Sequence, residues 1–363
     1  MDTRERYAAY AERIAGVSPS YAAWARSLDD GLVSLLDEVP EPKRQPELLF
    51  AVARRLGADP ADPGALRALV QEARPALVSA LASATVQAND PRRLAPVVPL
   101  FAALAARVGR PLGLVDAGAA AGLCSIPDRV TLDYVVRAGV PGVGAGADRA
   151  PQRASRPVPP GRDARTGARS EVVRMHTAAA EPALHLVAES SGPVPTPAAG
   201  PIDVRARVAL DPNPIDLAVP GAFDRLVEAV PPEATDRTAL MRAAARATLA
   251  APPVRIRGTL PGDLDRALDA LPDDVVPVVL TTGTLVYVPG PDRQCFVDQV
   301  RERGAHWIAL ERTGILSGVA ATLPGDVDRS DPDAFATASL DGVALAVTDP
   351  FGVRTRWVGD PNL

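Results

Sequence analysis

The chain has 363 residues, of which 47% are hydrophobic and only 4% aromatic, enough apolar material for one large core with an accessory region. Its 39 basic and 44 acidic side chains give a formal charge of -5, which argues against a partner held by phosphate neutralisation, and so few aromatics argue against base-stacking platforms. The two cysteines, Cys124 and Cys295, and the three histidines, His176, His185 and His306, show no zinc-ligand spacing, so no structural metal is expected.

The opening segment MDTRERYAAYAERIAG is charged throughout, and no later run reaches the ~18 apolar residues of a membrane span, which predicts a cytoplasmic protein. From Tyr7 to about residue 109 apolar positions recur at helical spacing; Tyr21, Trp24, Leu28, Leu32, Leu35 and Leu36 share one face and predict a single amphipathic helix. Further helices are predicted at Glu47 to Arg55, Pro63 to Ala82 and Pro91 to Val108, separated by breaks such as ADPADPG. Residues 1–110 therefore read as a helical N-terminal region. Within it Gln87, Asn89, Asp90 and Arg93 form a polar cluster. Asn89 or Asp90 suits the helix N-cap with Pro91 at the first helical position; alternatively Gln87, Asn89 and Arg93 face a ligand cleft.

At PLGLVDAGAAAGL the pattern changes to a short apolar run closing on Asp116, a Gly and Ala turn, and small residues suited to start a helix: strand, tight loop, helix. Apolar runs at 204–211, 253–258, 275–283 and 306–311 read as further strands with helical segments between several of them, which implies parallel pairing. The segment FATASLDGVALAVTDPFGVRTRWVG has turn signals at Asp341-Gly342 and Phe351-Gly352 and reads as antiparallel strands at a sheet edge. From about Gly139 to Ser170, Arg, Pro, Gly and Ala dominate; this stretch reads as a flexible insertion or a locally frameshifted segment.

Asp116, Gly118 and Gly122 carry most of the chemical signal. Glycines in a strand-to-helix loop let the backbone approach a ligand, yet the spacing is neither that of a dinucleotide fold nor that of a P-loop. An acidic residue two positions before the first glycine suits a cationic ligand, and S-adenosylmethionine carries both an ammonium and a sulfonium. The alternative is a turn that only packs a helix tightly on a strand. Asp211, at the end of the run VRARVALD, stands where a carboxylate accepts both hydroxyls of a ribose; the alternative is an Asx turn in Asp-Pro-Asn-Pro. Tyr287 and Glu311 follow later strands on the same edge and are candidates for a substrate pocket, against a half-buried aromatic and a surface ion pair. His306 reads as a structural histidine and Cys124 as a small buried residue.

The order LVDAGAAAGL, ALDPNPIDL, PPVRIRGTLPGDL, VVLTTGTLVYVP and HWIALE, together with KRQPELLF and VQANDPRRLAPVVPLFAAL, resembles the mainly actinobacterial domain of unknown function 2332 family. The resemblance spans most of the chain outside 139–170. It implies an α/β fold with a Rossmann-like class I methyltransferase sheet, mostly parallel with antiparallel C-terminal edge strands, occupying residues 111–363. It also implies S-adenosylmethionine as cofactor, held by Asp116, Gly118, Gly122, Asp211 and Thr259. Three positions depart from the family pattern: Cys124 in place of Asn, Thr259 in place of Asp, and Thr281 and Thr282 where a His is usual. The expectation is thus a methyltransferase of unspecified acceptor; the alternative is a noncatalytic binding or regulatory protein on the same fold. No heptad pattern defines an oligomer interface.

Overall fold

In a computed structural model, residues 2–84, 87, 89–136, 171–178, 181–192, 194–195 and 200–360 are described. The stretch 139–170 lies outside them. The chain divides into two compact units. Met1–Ala88 and Val219–Leu240 belong to one, and Asn89 begins the other, which holds the sheet.

The first unit contains α1 (Thr3–Ile14), α2 (Pro19–Arg26), α3 (Asp30–Asp37), α4 (Pro46–Arg55) and α5 (Ala65–Ser83), with the short α7 (Ala222–Val227) contributed from later in the chain. The helix predicted through Tyr21 and Leu36 is in fact two. The backbone breaks at Ser27, and the Asp29 carboxylate accepts from Leu32 N to start α3, so local capping overrides a continuous apolar stripe. The core is aromatic at its centre. Phe50 meets Tyr7, Tyr10, Tyr21 and Trp24 edge-on at centroid distances of 5.0 to 6.0 Å, and Trp24 Nε1 donates to Asp62 O. Arg54 fastens α4 to the later segment through Glu228 O and Val230 O.

The second unit is built on an 11-stranded mixed sheet. Its strands are β1 (Leu112–Ala117), β2 (Val130–Val136), β3 (Glu171–His176), β4 (Leu184–Ser191), β5 (Val204–Asp211), β6 (Val254–Arg257), β7 (Val276–Thr282), β8 (His306–Arg312), β9 (Ala336–Leu340), β10 (Val343–Thr348) and β11 (Arg354–Trp357). The spatial order is β3-β2-β4-β11-β10-β9-β8-β7-β1-β5-β6. The block β6-β5-β1-β7-β8 is parallel throughout, and its strands coincide with the apolar runs of the sequence. Helices α9 (Leu264–Leu268) and α10 (Gly290–Glu302) cross between its members, and α8 (Thr235–Ala250) precedes β6. Helix α6 (Leu94–Val108) has an almost wholly apolar surface and is buried along most of its length against β8, β9 and β4. Tyr134 on β2 donates to Ala95 O at 2.6 Å, and Thr177 O, just past β3, accepts from Ile202 N, just before β5.

The structure departs from the sequence pattern in two places. No helix follows β1. Gly118, Ala120 and Gly122 all adopt positive φ (81°, 50° and 76°), and alternating left-handed residues cannot propagate a right-handed helix, so the chain passes through turns and a 3-10 turn at Pro127–Arg129 directly into β2. Nor are the C-terminal strands an edge: β9, β10 and β11 lie inside the sheet, and β11 pairs antiparallel with β10 and parallel with β4. Residues of β9 and β10 are buried on both faces, a pattern that only an interior strand satisfies. The edges are β3 and β6, which carry exposed charged residues that blunt them against further pairing.

Among the described residues, no helix is long and apolar enough to cross a membrane.

Phe50→Ala removes the ring that four aromatics share, so we expect the helical unit to lose about 3–5 kcal/mol. Urea unfolding followed by far-ultraviolet circular dichroism measures this; a loss below about 1 kcal/mol would place the unit's stability elsewhere.

Candidate functional site at the carboxyl edge of the parallel strands

Strands β5, β1, β7 and β8 end side by side. The loop after β1 is tied toward β5, and the loop after β7 is tied toward β8. From β1 the parallel block extends to β5 and β6 on one side and to β7 and β8 on the other, so the edge between β1 and β7 is a topological switch point, where open α/β sheets bind ligands.

The loop 118–126 forms no regular structure: Gly118 N and Ala119 N reach Leu210 O, turns close on Ala119 O and Gly122 O, and side-chain oxygens take further N–H groups. Asp211 Oδ2 accepts from Ala120 N at 2.9 Å, and its Oδ1 accepts from Asn213 N at 2.7 Å, completing the Asx turn. Asn89 Oδ1 accepts from Leu123 N at 2.8 Å, and Thr248 Oγ1 donates to Gly122 O. Asp90 is the N-cap of the turn Pro91–Arg93: its carboxylate accepts from Arg92 N and pairs with the Arg92 guanidinium. Asn89, by contrast, reaches the glycine loop.

Asp116 is 1% exposed and lies beneath this loop, accepting from Ser125 Oγ at 2.7 Å. Burial first, then the neighbouring Asp211 charge, raise its carboxyl from 3.8 to about 7, against the lowering effect of Ser125. Glu311, at the end of β8, is 3% exposed and forms no surface ion pair. Its two oxygens accept from Thr284 N at 3.0 Å and Leu285 N at 3.1 Å, and burial raises its carboxyl to about 7 despite these bonds. Thr284 is pinned on its other side, donating from Oγ1 to Ala117 O at 2.8 Å. Gly118 makes room for it: a Cβ there would meet Thr284 Oγ1 at 2.2 Å.

Arg93 donates from Nη1 to Thr282 O at 2.9 Å. Cys124 is buried, its Sγ 3.5 Å from Asp90 O, and burial pushes its thiol well above the ordinary range, so it is no ready nucleophile. Tyr287 stands 83% exposed on the short turn Leu285–Tyr287, not half-buried. Thr259 is exposed after β6, and its N–H is taken by Asp263 Oδ2 at 2.8 Å. Gln87 is half-buried and belongs to the helical unit. His306 is at the opposite end of β8, where Nδ1 meets Asp341 Oδ2 at 2.9 Å, a structural partner 35 residues on. Among the described residues, no three His, Cys, Asp or Glu side chains converge to hold a metal ion.

The structure therefore gathers Asn89, Arg93, Asp116, Gly118, Gly122, Asp211 and Glu311 along one edge. It adds Ser125, bonded to Asp116, and Thr284, bonded to Ala117 O. Their signal was present only as hydroxyls within a few residues of the strand ends.

Fold and site define an α/β protein with a mostly parallel mixed sheet and a polar, partly buried carboxyl edge. The chain matches the family of uncharacterized proteins conserved in bacteria, DUF2332, over residues 4–357, and it belongs to that family. No curated protein and no solved structure matches it.

Asp116 holds its proton more tightly folded than unfolded, so between about pH 4 and 7 the native state binds more protons and stability falls as pH rises. Asp116→Asn keeps an acceptor for Ser125 and cannot ionise; its stability relative to the parent should rise from pH 5 to pH 8, as read from urea midpoints. A constant difference across that range contradicts the assignment. For Glu311→Gln, an amide NH2 would face one of the two loop N–H groups, and we expect a loss of about 1–3 kcal/mol in thermal unfolding; an unchanged melt would mean that the carboxylate does not hold the loop.

Proposed function

We propose that the carboxyl edge of β5, β1 and β7 binds S-adenosylmethionine and that the protein transfers its methyl group to an acceptor. The observation that carries this reading is Asp211: a carboxylate at the end of the strand beside β1, bonded directly to the glycine-bearing loop. Its environment suits a ribose. Its oxygens accept from Ala120 N and Asn213 N, which fixes the carboxylate's orientation at the strand end, and a carboxylate oxygen can accept more than one hydrogen bond. Thr259, exposed one strand further out with its N–H bonded to Asp263, would meet an adenine through its hydroxyl. Gly118 and Gly122 shape the loop between, and Asp116 underlies it. The order β6-β5-β1-β7-β8 supports the reading at the level of fold.

When bound, this cofactor supplies an electrophilic methyl group. The chain's part is to fix the nucleoside, exclude water and align the acceptor, which needs few acid–base groups. Tyr287, projecting from the turn after β7, borders the space where an acceptor would approach. One observation favours a second reading, binding without turnover: β7 ends on Thr281 and Thr282, so no histidine general base stands at that strand end.

Calorimetric titration with S-adenosylmethionine and S-adenosylhomocysteine tests the proposal. We expect binding that Asp211→Asn weakens by roughly tenfold or more, the loss of a charged hydrogen-bond acceptor. A folded parent protein that binds neither compound refutes it. Transfer of labelled methyl to an acceptor in a chemical screen separates the enzyme from the silent binder.

A further inference from the structure

Arg93 and Arg92 are neighbours with different fates. Arg92 is ion-paired with Asp90. Arg93 is half-buried at the switch point, and among the described residues no carboxylate forms an ion pair with it. One of its N–H groups is fixed on Thr282 O, the last residue of β7. The planar group then lies over Gly283, where a Cβ would come within 3.3 Å of Nη1 and 3.6 Å of Cζ. The glycine thus leaves space for the guanidinium, and the Thr282 carbonyl fixes its orientation.

The Arg93 charge acts on Glu311 through space, but neither Glu311 nor Asp116 is bonded to it. Glu311 is turned to the N–H groups of Thr284 and Leu285, and Asp116 to Ser125. The Nε and Nη2 side of the fork has no hydrogen bond among the described residues. A guanidinium held at one nitrogen, partly desolvated and presenting its remaining donors at a ligand-binding edge is preorganised for a bidentate carboxylate.

We propose that Arg93 binds the α-carboxylate of an amino-acid-bearing ligand at the β1–β7 switch point. The inference rests on the S-adenosylmethionine reading and deepens it by orienting the ligand. Asp211 ends β5 and Arg93 sits at the end of β7, two strands away, or about 10 Å at the usual strand spacing. A nucleoside joined through its 5′ position to an amino acid spans such a gap, ribose to Asp211 and carboxylate to Arg93. Arg93 is then a binding residue at the amino-acid end.

Two ligands separate the ends of the molecule: S-adenosylhomocysteine, which has the carboxylate, and 5′-methylthioadenosine, which lacks the whole amino-acid group. Both are titrated calorimetrically into the parent protein, Arg93→Met and Arg93→Lys. We expect Arg93→Met to weaken S-adenosylhomocysteine by roughly 10–100-fold and to leave 5′-methylthioadenosine within about twofold, with Arg93→Lys intermediate. Circular dichroism spectra and melting curves check that both variants fold; Arg93→Lys carries the test if Arg93→Met does not. Equal weakening of both ligands means that Arg93 only supports the loop and overturns the proposal. Unchanged binding of S-adenosylhomocysteine also overturns it, while leaving the cofactor reading intact. A parent protein that binds neither ligand brings down both.

Discussion

Buried backbone that is neither helix nor strand must still find hydrogen bonds, and where the turns of the loop after β1 leave N–H groups unpaired a carboxylate and an amide accept them. Asp211 reaches across from β5 to Ala120 N, and Asn89, just before the Pro91–Arg93 turn, reaches Leu123 N. Both bonds are needed because positive φ at Gly118, Ala120 and Gly122 removes the repeating geometry that would let the segment satisfy itself. The loop then closes the carboxyl edge of the sheet. Its residues from Ala119 to Pro127 are buried, so what the edge offers a ligand is decided by which polar atoms remain directed outward from this framework.

Acids inside the framework carry a cost that their hydrogen bonds only partly offset. Asp116 and Glu311 both have carboxyls raised to about 7, with burial the leading cause in each. They persist on opposite flanks of the β1–β7 edge, and each organises a loop: Asp116 the loop after β1, Glu311 the loop after β7. Thr284 joins the two by donating to Ala117 O from a position that Gly118 leaves open. Such an arrangement trades stability for geometry, as preorganised sites do.

The parallel strands were legible in the sequence because a strand buried on both faces is a continuous apolar run, and VRARVALD and HWIALE end within one residue of β5 and β8. The same reading failed at β9–β11. Short alternating segments with good turn residues announce hairpins, and nothing local says whether a hairpin lies at an edge or is covered by another strand; that is settled by β4, more than 140 residues earlier. It failed again after β1, where Gly and Ala suit a tight turn and a helix start alike, and left-handed φ values chose the turn. At the site, Asp211 and Asp116 were visible from their places at strand ends. Ser125 and Thr284 were not, because a hydroxyl acquires a role only from what the fold sets opposite it. Glu311 was found for its position and misjudged in its partners: the groups it caps come from the next strand's loop.

The short turn Pro91–Arg93 shows how one local element serves both the sheet's interior and its edge. With about three residues per turn, successive side chains of a 3-10 turn diverge widely, so Arg92 and Arg93 point into different surroundings. Arg92 stacks 4.5 Å over the Phe351 ring while pairing with Asp90, and Gly352 packs against Pro96, so this side fastens the β10–β11 turn to the start of α6. Arg93 takes the other direction, to the end of β7. A half-buried cation held by one carbonyl, with Glu311 acting on it only through space, recovers less of its desolvation than a direct ion pair would return. The same placement is advantageous if the missing anion arrives with a ligand, because the cost of orienting the guanidinium has then been met before binding.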